Sequence, residues 1–202
     1  MGHYDTNTGS LLATVRLGAH PTDMVWRDGG PGEVAPGEPT WAARLFVAAA
    51  NTNNVFTVGI SPAKELSVVE RINVSMTPRQ PLGMTPSALA LNREGNLLYT
   101  VCSDANAIAV ADVSQPVSRI VGFIPTGWYP TAVAPANDGG MIVLNGKGLG
   151  SRANPDGPVT TKPNQPLWQG GPVVSPGYVG HIQTGTVAFV PPLTDENLRP
   201  YT

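Results

Sequence analysis

The pattern of apolar and polar positions repeats along the chain. An apolar run, an Asn-containing turn and a second apolar run occur over 45–60 and again over 98–113. A third copy starts at 141–145 and resumes at 185–190. Short apolar runs bounded by turn residues predict paired β-strands joined as hairpins. Asn suits such turns because it tolerates left-handed backbone.

Two further strands are predicted ahead of each hairpin. A proline opens a short apolar strand at Pro21, Pro86 and Pro130, and the first residue of a strand is a place where proline is tolerated. More alternating strands precede these at 11–17, 66–74 and 118–124. Each repeat of about 43 to 65 residues therefore contains four strands, in the chain order outer, inner, middle, middle. Four short strands per repeat of about 40 to 50 residues are typical of a β-propeller blade.

The sequence thus predicts an all-β fold, a β-propeller with about three four-stranded blades in a single partial domain over 1–202. A β-sandwich is the structural alternative, but it does not explain a repeated four-strand unit. The composition agrees, since 23 Gly and 21 Pro with only 13% charged residues favour short strands and frequent turns over helices.

Charge and hydropathy exclude several classes of partner. A net charge of −2 without a basic run argues against nucleic-acid binding. No apolar run is long enough for a membrane span, and residues 1–5 lack the apolar segment of a signal peptide. The single cysteine, Cys102, lies in an apolar run and is interpreted as a buried strand residue rather than a reactive thiol.

Three stretches carry a resemblance to a known family. In the first two repeats, an aromatic residue is followed by an Asn and then by alternating apolar residues: Phe46, Asn53 and Val55, then Tyr99, Asn106 and Ile108. This pattern resembles the YVTN-type β-propeller repeat. The stretches 119–133 and 144–155 are similar to bacterial proteins in which such a propeller precedes an alkaline-phosphatase-like phosphoesterase domain.

The resemblance implies a metal-dependent phosphoesterase domain after the propeller, but no such domain is recognised within the 202 residues. None of its metal ligands and no nucleophile can therefore be assigned, and the catalytic residues stay unknown. The resemblance also implies an exported protein, periplasmic or extracellular. Since no signal peptide is recognised, the sequence leaves the localisation open.

The number of predicted strands indicates that the chain needs a partner to close a propeller. Closed propellers have about four to eight blades, so three blades leave sheet faces and strand edges uncovered. Our hypothesis is a six-bladed homodimer in which the outer strand at 10–17 of each copy completes the last blade of the other. The alternative is a fragment completed by missing blades or by the phosphoesterase domain.

Two Gly- and Pro-rich insertions, at 28–40 and 146–184, interrupt the repeats. Loops of this length are either functional or disordered, and the second could form a lid or a plain decorated connection. It contains Lys147 and Arg152, which are candidates for contact with an anionic ligand or an acidic partner, or else are solvated charges. The Gly-rich run at 146–151 is not followed by a helix, so we predict no nucleotide site there.

The remaining candidates precede the proline-led strands. Trp128, Tyr129 and the equivalent His20 are predicted at the mouth of the propeller channel, as binding residues or as packing aromatics. The three histidines have no ligand spacing, so no metal and no cofactor are predicted. We expect a binding or assembly module without catalytic machinery of its own. The alternative is part of a phosphoesterase, or a lactonase-like hydrolase acting at the channel mouth.

Overall fold

The structure is a computed structural model that describes residues 1–29, 40–150 and 183–194. The described residues form β-strands that pair antiparallel throughout, and a single 3-10 turn over Ser103–Ala105. The predicted all-β fold is confirmed. The strands are β1 (Gly2–Tyr4), β2 (Leu11–Thr14), β3 (Pro21–Asp28), β4 (Ala43–Ala49), β5 (Asn54–Ile60), β6 (Leu66–Asn73), β7 (Pro86–Leu91), β8 (Leu97–Cys102), β9 (Ala107–Asp112), β10 (Arg119–Pro125), β11 (Pro130–Pro135), β12 (Met141–Asn145) and β13 (Thr186–Val190).

Three of the sheets follow the predicted repeat. Unit 1 is the sheet β3-β4-β5-β6, unit 2 is β7-β8-β9-β10, and unit 3 is β11-β12-β13. In each unit the strands are neighbours in the order in which they occur along the chain. This arrangement of successive antiparallel sheets is consistent with a partial propeller.

The three prolines lie where the sequence placed them. Pro21, Pro86 and Pro130 are the first residues of β3, β7 and β11. The turns that lead from these strands into the hairpins contain Gly95 and Gly139, with φ of +69° and +89°. A residue with a side chain would be strained at these angles, which explains why glycine follows the polar residues of both turns.

The N-terminal strand differs from its prediction. An outer strand was expected over 11–17, and the structure forms β2 over Leu11–Thr14 and pairs it with β1. The connecting turn is closed by Asp5, whose carboxylate accepts the N–H groups of Asn7 and Thr8 at 2.9 and 2.8 Å. These hydrogen bonds are the main reason that the pKa of Asp5 is lowered. The short polar segment that forms β1 has no alternating pattern, and this strand was therefore not predicted.

The core lies between the units. One apolar cluster joins units 1 and 2 and includes Phe46, Val55, Leu89 and Leu98. A second cluster joins units 2 and 3 and includes Tyr99, Val101, Val133 and Val143. The sheet of unit 2 therefore buries one face against unit 1 and the other against unit 3.

The two insertions lie largely outside the described residues, which omit 30–39 and 151–182. The predicted lid at 146–184 therefore lies mostly outside the described residues, and Arg152 lies outside them entirely. Over the part of the chain that the structure describes, no helix has the length and apolar character needed to cross a membrane.

Candidate functional site

One turn recurs at the start of every unit. It has the sequence Gly-x-x-Pro: 18–21 before β3, 83–86 before β7 and 127–130 before β11. The residue before each proline has a left-handed backbone, with φ of 57° at His20, 51° at Thr85 and 56° at Tyr129. This conformation is uncommon for a residue with a side chain, and the following proline disfavours it further.

Hydrogen bonds hold the strained residue in place in all three copies. The carbonyls of His20, Thr85 and Tyr129 accept N–H bonds at 2.8, 3.1 and 2.8 Å from the residue that follows β4, β8 and β12, respectively. A bulge follows the proline in every copy, because the register shifts within the first three residues of β3, β7 and β11. The proline of this turn was predicted to open the strand, whereas the glycine three residues before it was missed, although the shared Gly-x-x-Pro spacing is visible in the sequence.

The repeated asparagines bind the turn of the following unit. Asn53 Oδ1 accepts the N–H groups of Gly83 and Met84, both at 3.1 Å. In the next repeat, Asn106 Oδ1 accepts the Tyr129 N–H at 2.8 Å. Asn106 also has the left-handed backbone expected of its turn, with φ of 53°. The Asn of the repeat therefore joins successive units, a role that local turn chemistry did not predict.

The turn of unit 3 brings three of the predicted binding residues together. Trp128 N–H donates to the Gly148 carbonyl at 2.7 Å, and Lys147 N–H donates to the Trp128 carbonyl at 3.0 Å. The Lys147 ammonium lies 4.3 Å from the centre of the Tyr129 ring, a cation–π contact. Trp128 is 49% exposed, in the same turn as the contact between Lys147 and Tyr129.

His20 occupies the equivalent turn of unit 1, as predicted, but not the same site. Its Nδ1 lies 3.4 Å from Asn51 Oδ1. Among the described residues, no hydrogen bond or ring contact joins His20 to Trp128 or Tyr129. In unit 2 the same position is Thr85, whose hydroxyl donates to Asp104 Oδ2 at 2.5 Å. His20, Trp128, Tyr129 and Lys147 stay predicted binding residues.

The Gly-rich run after β12 has its amides already engaged. The N–H groups of Gly146, Lys147, Gly148 and Gly150 donate to the carbonyls of Tyr129, Trp128, Asn145 and Lys147. A phosphate cradle needs several adjacent N–H groups aimed at the ligand. This run uses them instead to hold the Gly-x-x-Pro turn of unit 3.

An apolar cavity of about 540 Å³ lies beside the outer strand of unit 2. Its wall consists mainly of Ile120, Val121 and Phe123 from β10 and Met76 from the connection that precedes β7. The cavity also touches Asn106, the residue that binds the Tyr129 N–H. None of the predicted binding residues lines it.

The titratable groups give no further cluster. No group of three or more His, Cys, Asp or Glu side chains that could hold a metal ion occurs in the described ranges. Cys102 is fully buried at the end of β8, and desolvation raises the pKa of its thiol to about 12. This agrees with its interpretation as a strand residue.

The outer face of unit 3 is apolar and uncovered. Ile142 pairs with Phe189 and Leu144 pairs with Val187, so the four side chains share one face of the sheet. Phe189 is 78% exposed. The pairing of β8 with β9 places Val110 at the equivalent position of unit 2. Val110 is fully buried against unit 3.

Unit 1, at the opposite end of the array of three units, also has an exposed apolar face. Counted from the inner-strand prolines, Met24 of β3 corresponds to Leu89 of β7 and Val133 of β11. Leu89 and Val133 are buried against the preceding unit, whereas Met24 is 62% exposed and Trp26 beside it is also exposed. Both ends of the array therefore expose positions that its interior buries.

The last sheet also has an open edge. In the described part of the chain, β13 pairs with β12 alone, whereas β5 and β9, at the same place in units 1 and 2, each pair on both sides. Among the described residues, unit 3 thus has no counterpart of the outer strand that units 1 and 2 have.

Comparison with known proteins supports the fold alone. The chain is similar to a functionally unknown protein from Desulfotomaculum acetoxidans, with a TM-score of 0.51 and 13% identity over 71% of this chain and 41% of that one. A protein from Lactobacillus plantarum matches with a TM-score of 0.42 and 17% identity over 67% and 43% of the two chains. This chain thus spans less than half the length of either. No family model and no curated protein matches the sequence.

Proposed function

We propose that this chain is an arc of a β-propeller that serves as an assembly module, adding further blades at both ends. In this proposal units 1, 2 and 3 are blades. The observation that carries it is the pair of exposed end faces, at Met24 on unit 1 and at Phe189 on unit 3, whose equivalents within the array are buried between units.

Exposing these apolar faces to solvent costs free energy. Monomeric proteins seldom expose contiguous large apolar patches, and such patches mark interaction sites. The interior clusters show which surface satisfies these positions, namely the neighbouring face of another unit of the same repeat. A further blade on each end therefore has the shape and the chemistry that both faces need.

The finer assignment rests on the sequence. The repeat resembles the YVTN type, and we propose that the chain belongs to propellers of that kind. An association with a phosphoesterase domain remains implied by the resemblance alone. The hydrolase alternative requires catalytic residues, and the sequence assigns none, so it stays a prediction.

A tandem chain tests the assembly function. Two copies of the sequence are joined by a flexible Gly/Ser linker of about 20 residues, long enough to let one copy reach around the other. We expect the tandem protein to bind less of a hydrophobic dye per copy than the single chain at a concentration where the single chain is monomeric. We also expect a melting temperature at least about 4 °C higher, as a gain of roughly 1 kcal/mol or more implies.

A matched control carries Phe189→Asp and Met24→Asp in both copies of the tandem. This control leaves the linker and the length unchanged but places charges on every end face. We expect it to melt close to the single chain. If the unmodified tandem protein neither melts higher nor binds less dye than the control, the end faces do not add blades and the proposed function is wrong.

A further inference from the structure

We infer that a second copy of this chain covers both end faces, so that two copies close a ring of six units with exchanged outer strands. This inference rests on the proposed function and names its partner. Closed propellers contain about four to eight blades, and two copies with three units each fall within that range.

The first step is the match between the two end faces of one chain. The interior joints place the face of Val110 and Ile108 against the following inner strand, which carries Val133. Phe189 and Val187 on unit 3 repeat the first surface, and Met24 on unit 1 repeats the second. Unit 3 of one copy therefore meets unit 1 of another through the contact that the chain already uses twice within itself.

The second step is the position of β2. In the chain, β6 precedes the inner strand of unit 2 and β10 precedes that of unit 3, and each is the outer strand of the sheet before it. β2 precedes β3 in the same way, but among the described residues it pairs only with β1 and belongs to none of the three units. The connection after β2 already lies against unit 1, because Gly18 packs on the Phe56 ring.

The third step is that β2 and β13 each have one free edge. In the described residues β2 pairs only with β1, and β13 pairs only with β12. When unit 1 of one copy packs on unit 3 of the other, β2 comes to the place of the missing fourth strand. It can pair with β13 there without leaving β1, which turns two exposed edges into a continuous sheet.

The arrangement has a two-fold axis along the centre of the ring. Each copy supplies one unit 1 face and one unit 3 face, and the same contact therefore occurs twice. Both apolar faces and the open edge of β13 are satisfied at once, which leaves nothing for a third copy to bind.

Light scattering after size exclusion, across a range of concentrations, tests the inference. We expect the purified chain to have about twice the monomer mass of 21.1 kDa. Met24→Asp and Phe189→Asp, as separate variants, should each weaken the dimer at least about 30-fold, as expected for the loss of a central contact. Val117→Asp, at a loop residue that is equally exposed and lies on neither face, should leave the dimer intact.

Mixing the two variants tests which faces meet. A mixed dimer of Met24→Asp with Phe189→Asp keeps one unaltered contact, between Phe189 of the first variant and Met24 of the second. We expect dimers of mixed composition to form where each variant alone is monomeric. A contact of like with like, unit 1 on unit 1 or unit 3 on unit 3, would give no such rescue and would overturn the inference.

A disulfide between copies tests the exchanged strand. This test does not require the Met24→Asp or the Phe189→Asp variant to fold. Counted back from the turn glycine, Thr14 of β2 corresponds to Phe123 of β10, which pairs with Ala109, the counterpart of Ala188. Thr14→Cys with Ala188→Cys should therefore form a disulfide between copies, since paired strands bring Cα atoms within the required distance. Thr14→Cys with Phe189→Cys is the control, because Phe189 lies on the opposite face of β13. The native Cys102 is buried and adds no background.

The outcomes separate this inference from the proposed function. If the single chain stays monomeric but the tandem chain is stabilised, the inference that a second copy is the partner is wrong. The proposed function then still holds, and the end faces are covered by a further segment of a longer chain. Open oligomers larger than two copies overturn the closed ring. A double-cysteine dimer without the expected crosslink overturns the strand exchange.

Discussion

At the scale of single residues, Asn53 shows how the repeat is held together. Its side chain is buried and takes part in four hydrogen bonds, accepting two backbone N–H groups and donating to the Pro81 carbonyl and the Ser75 hydroxyl. A buried amide that is fully bonded fixes the position of everything it touches. Asn53 therefore couples the hairpin of unit 1 to the turn that begins unit 2.

Replacing Asn53 tests this role. Asn53→Ala leaves the Met84 N–H buried without an acceptor, and we expect the free energy of unfolding to fall by about 2 to 4 kcal/mol. The matched control is Asn51→Ala, two residues away and exposed, which should change it by less than about 0.5 kcal/mol. Urea denaturation measures both. Equal losses in the two variants would contradict the role assigned to Asn53.

The raised pKa of the Cys102 thiol predicts how the stability of the protein depends on pH. Burial raises its pKa from 9.0 to about 12, so between these values the folded protein keeps a proton that the unfolded chain releases. Stability therefore falls as the pH rises through this window, by about 1.4 kcal/mol per pH unit for one group. Cys102→Ala should show a shallower decline, measured as the free energy of unfolding against pH. Parallel curves for the two proteins would contradict the burial of the thiol.

At the scale of elements, the entry into each inner strand combines three features in one place. A left-handed residue, a proline and a bulge follow one another at the start of β3, β7 and β11. Backbone strain of this kind costs of order 1 kcal/mol and persists only where the surroundings impose it. The hydrogen bond to the carbonyl of the strained residue, present in all three copies, is what imposes it.

His20 offers the cleanest test of this strain, because its side chain is exposed. His20→Gly removes the penalty of the left-handed backbone, whereas His20→Ala keeps it and removes the same imidazole. We expect the glycine variant to be the more stable of the two by about 1 kcal/mol, after allowing for the greater freedom of glycine in the unfolded chain. Thermal unfolding compares them, and an alanine variant that is equally or more stable would show that the turn is not strained.

At the scale of the whole molecule, the sequence predicted the all-β class and the order of strands within the units. It could do so because the prolines and the paired apolar runs recur, and each recurrence supports the others. It could not predict β1, whose three residues have no pattern, or the joint between Asn53 and the next turn. That joint depends on which residues meet across units, and strand periodicity carries no such information.

The candidate site was predictable only in part. Trp128, Tyr129 and Lys147 meet because the Gly-rich run folds back on the turn of unit 3, a contact between backbone groups that composition does not reveal. The exposed end faces could not be predicted from the sequence, for a different reason. Met24 and Leu89 have the same apolar character, and only the array distinguishes the end position from the interior one.

The joint between successive units has a consequence for how such chains can evolve. Units 1 and 2 each contribute an Asn that binds the turn of the next unit, and units 2 and 3 each receive one. A genetic duplication or deletion that spans one period, wherever it starts, leaves every remaining Asn facing a Gly-x-x-Pro turn. A deletion of any other length breaks a joint. Gene rearrangements should therefore change the number of units in whole steps.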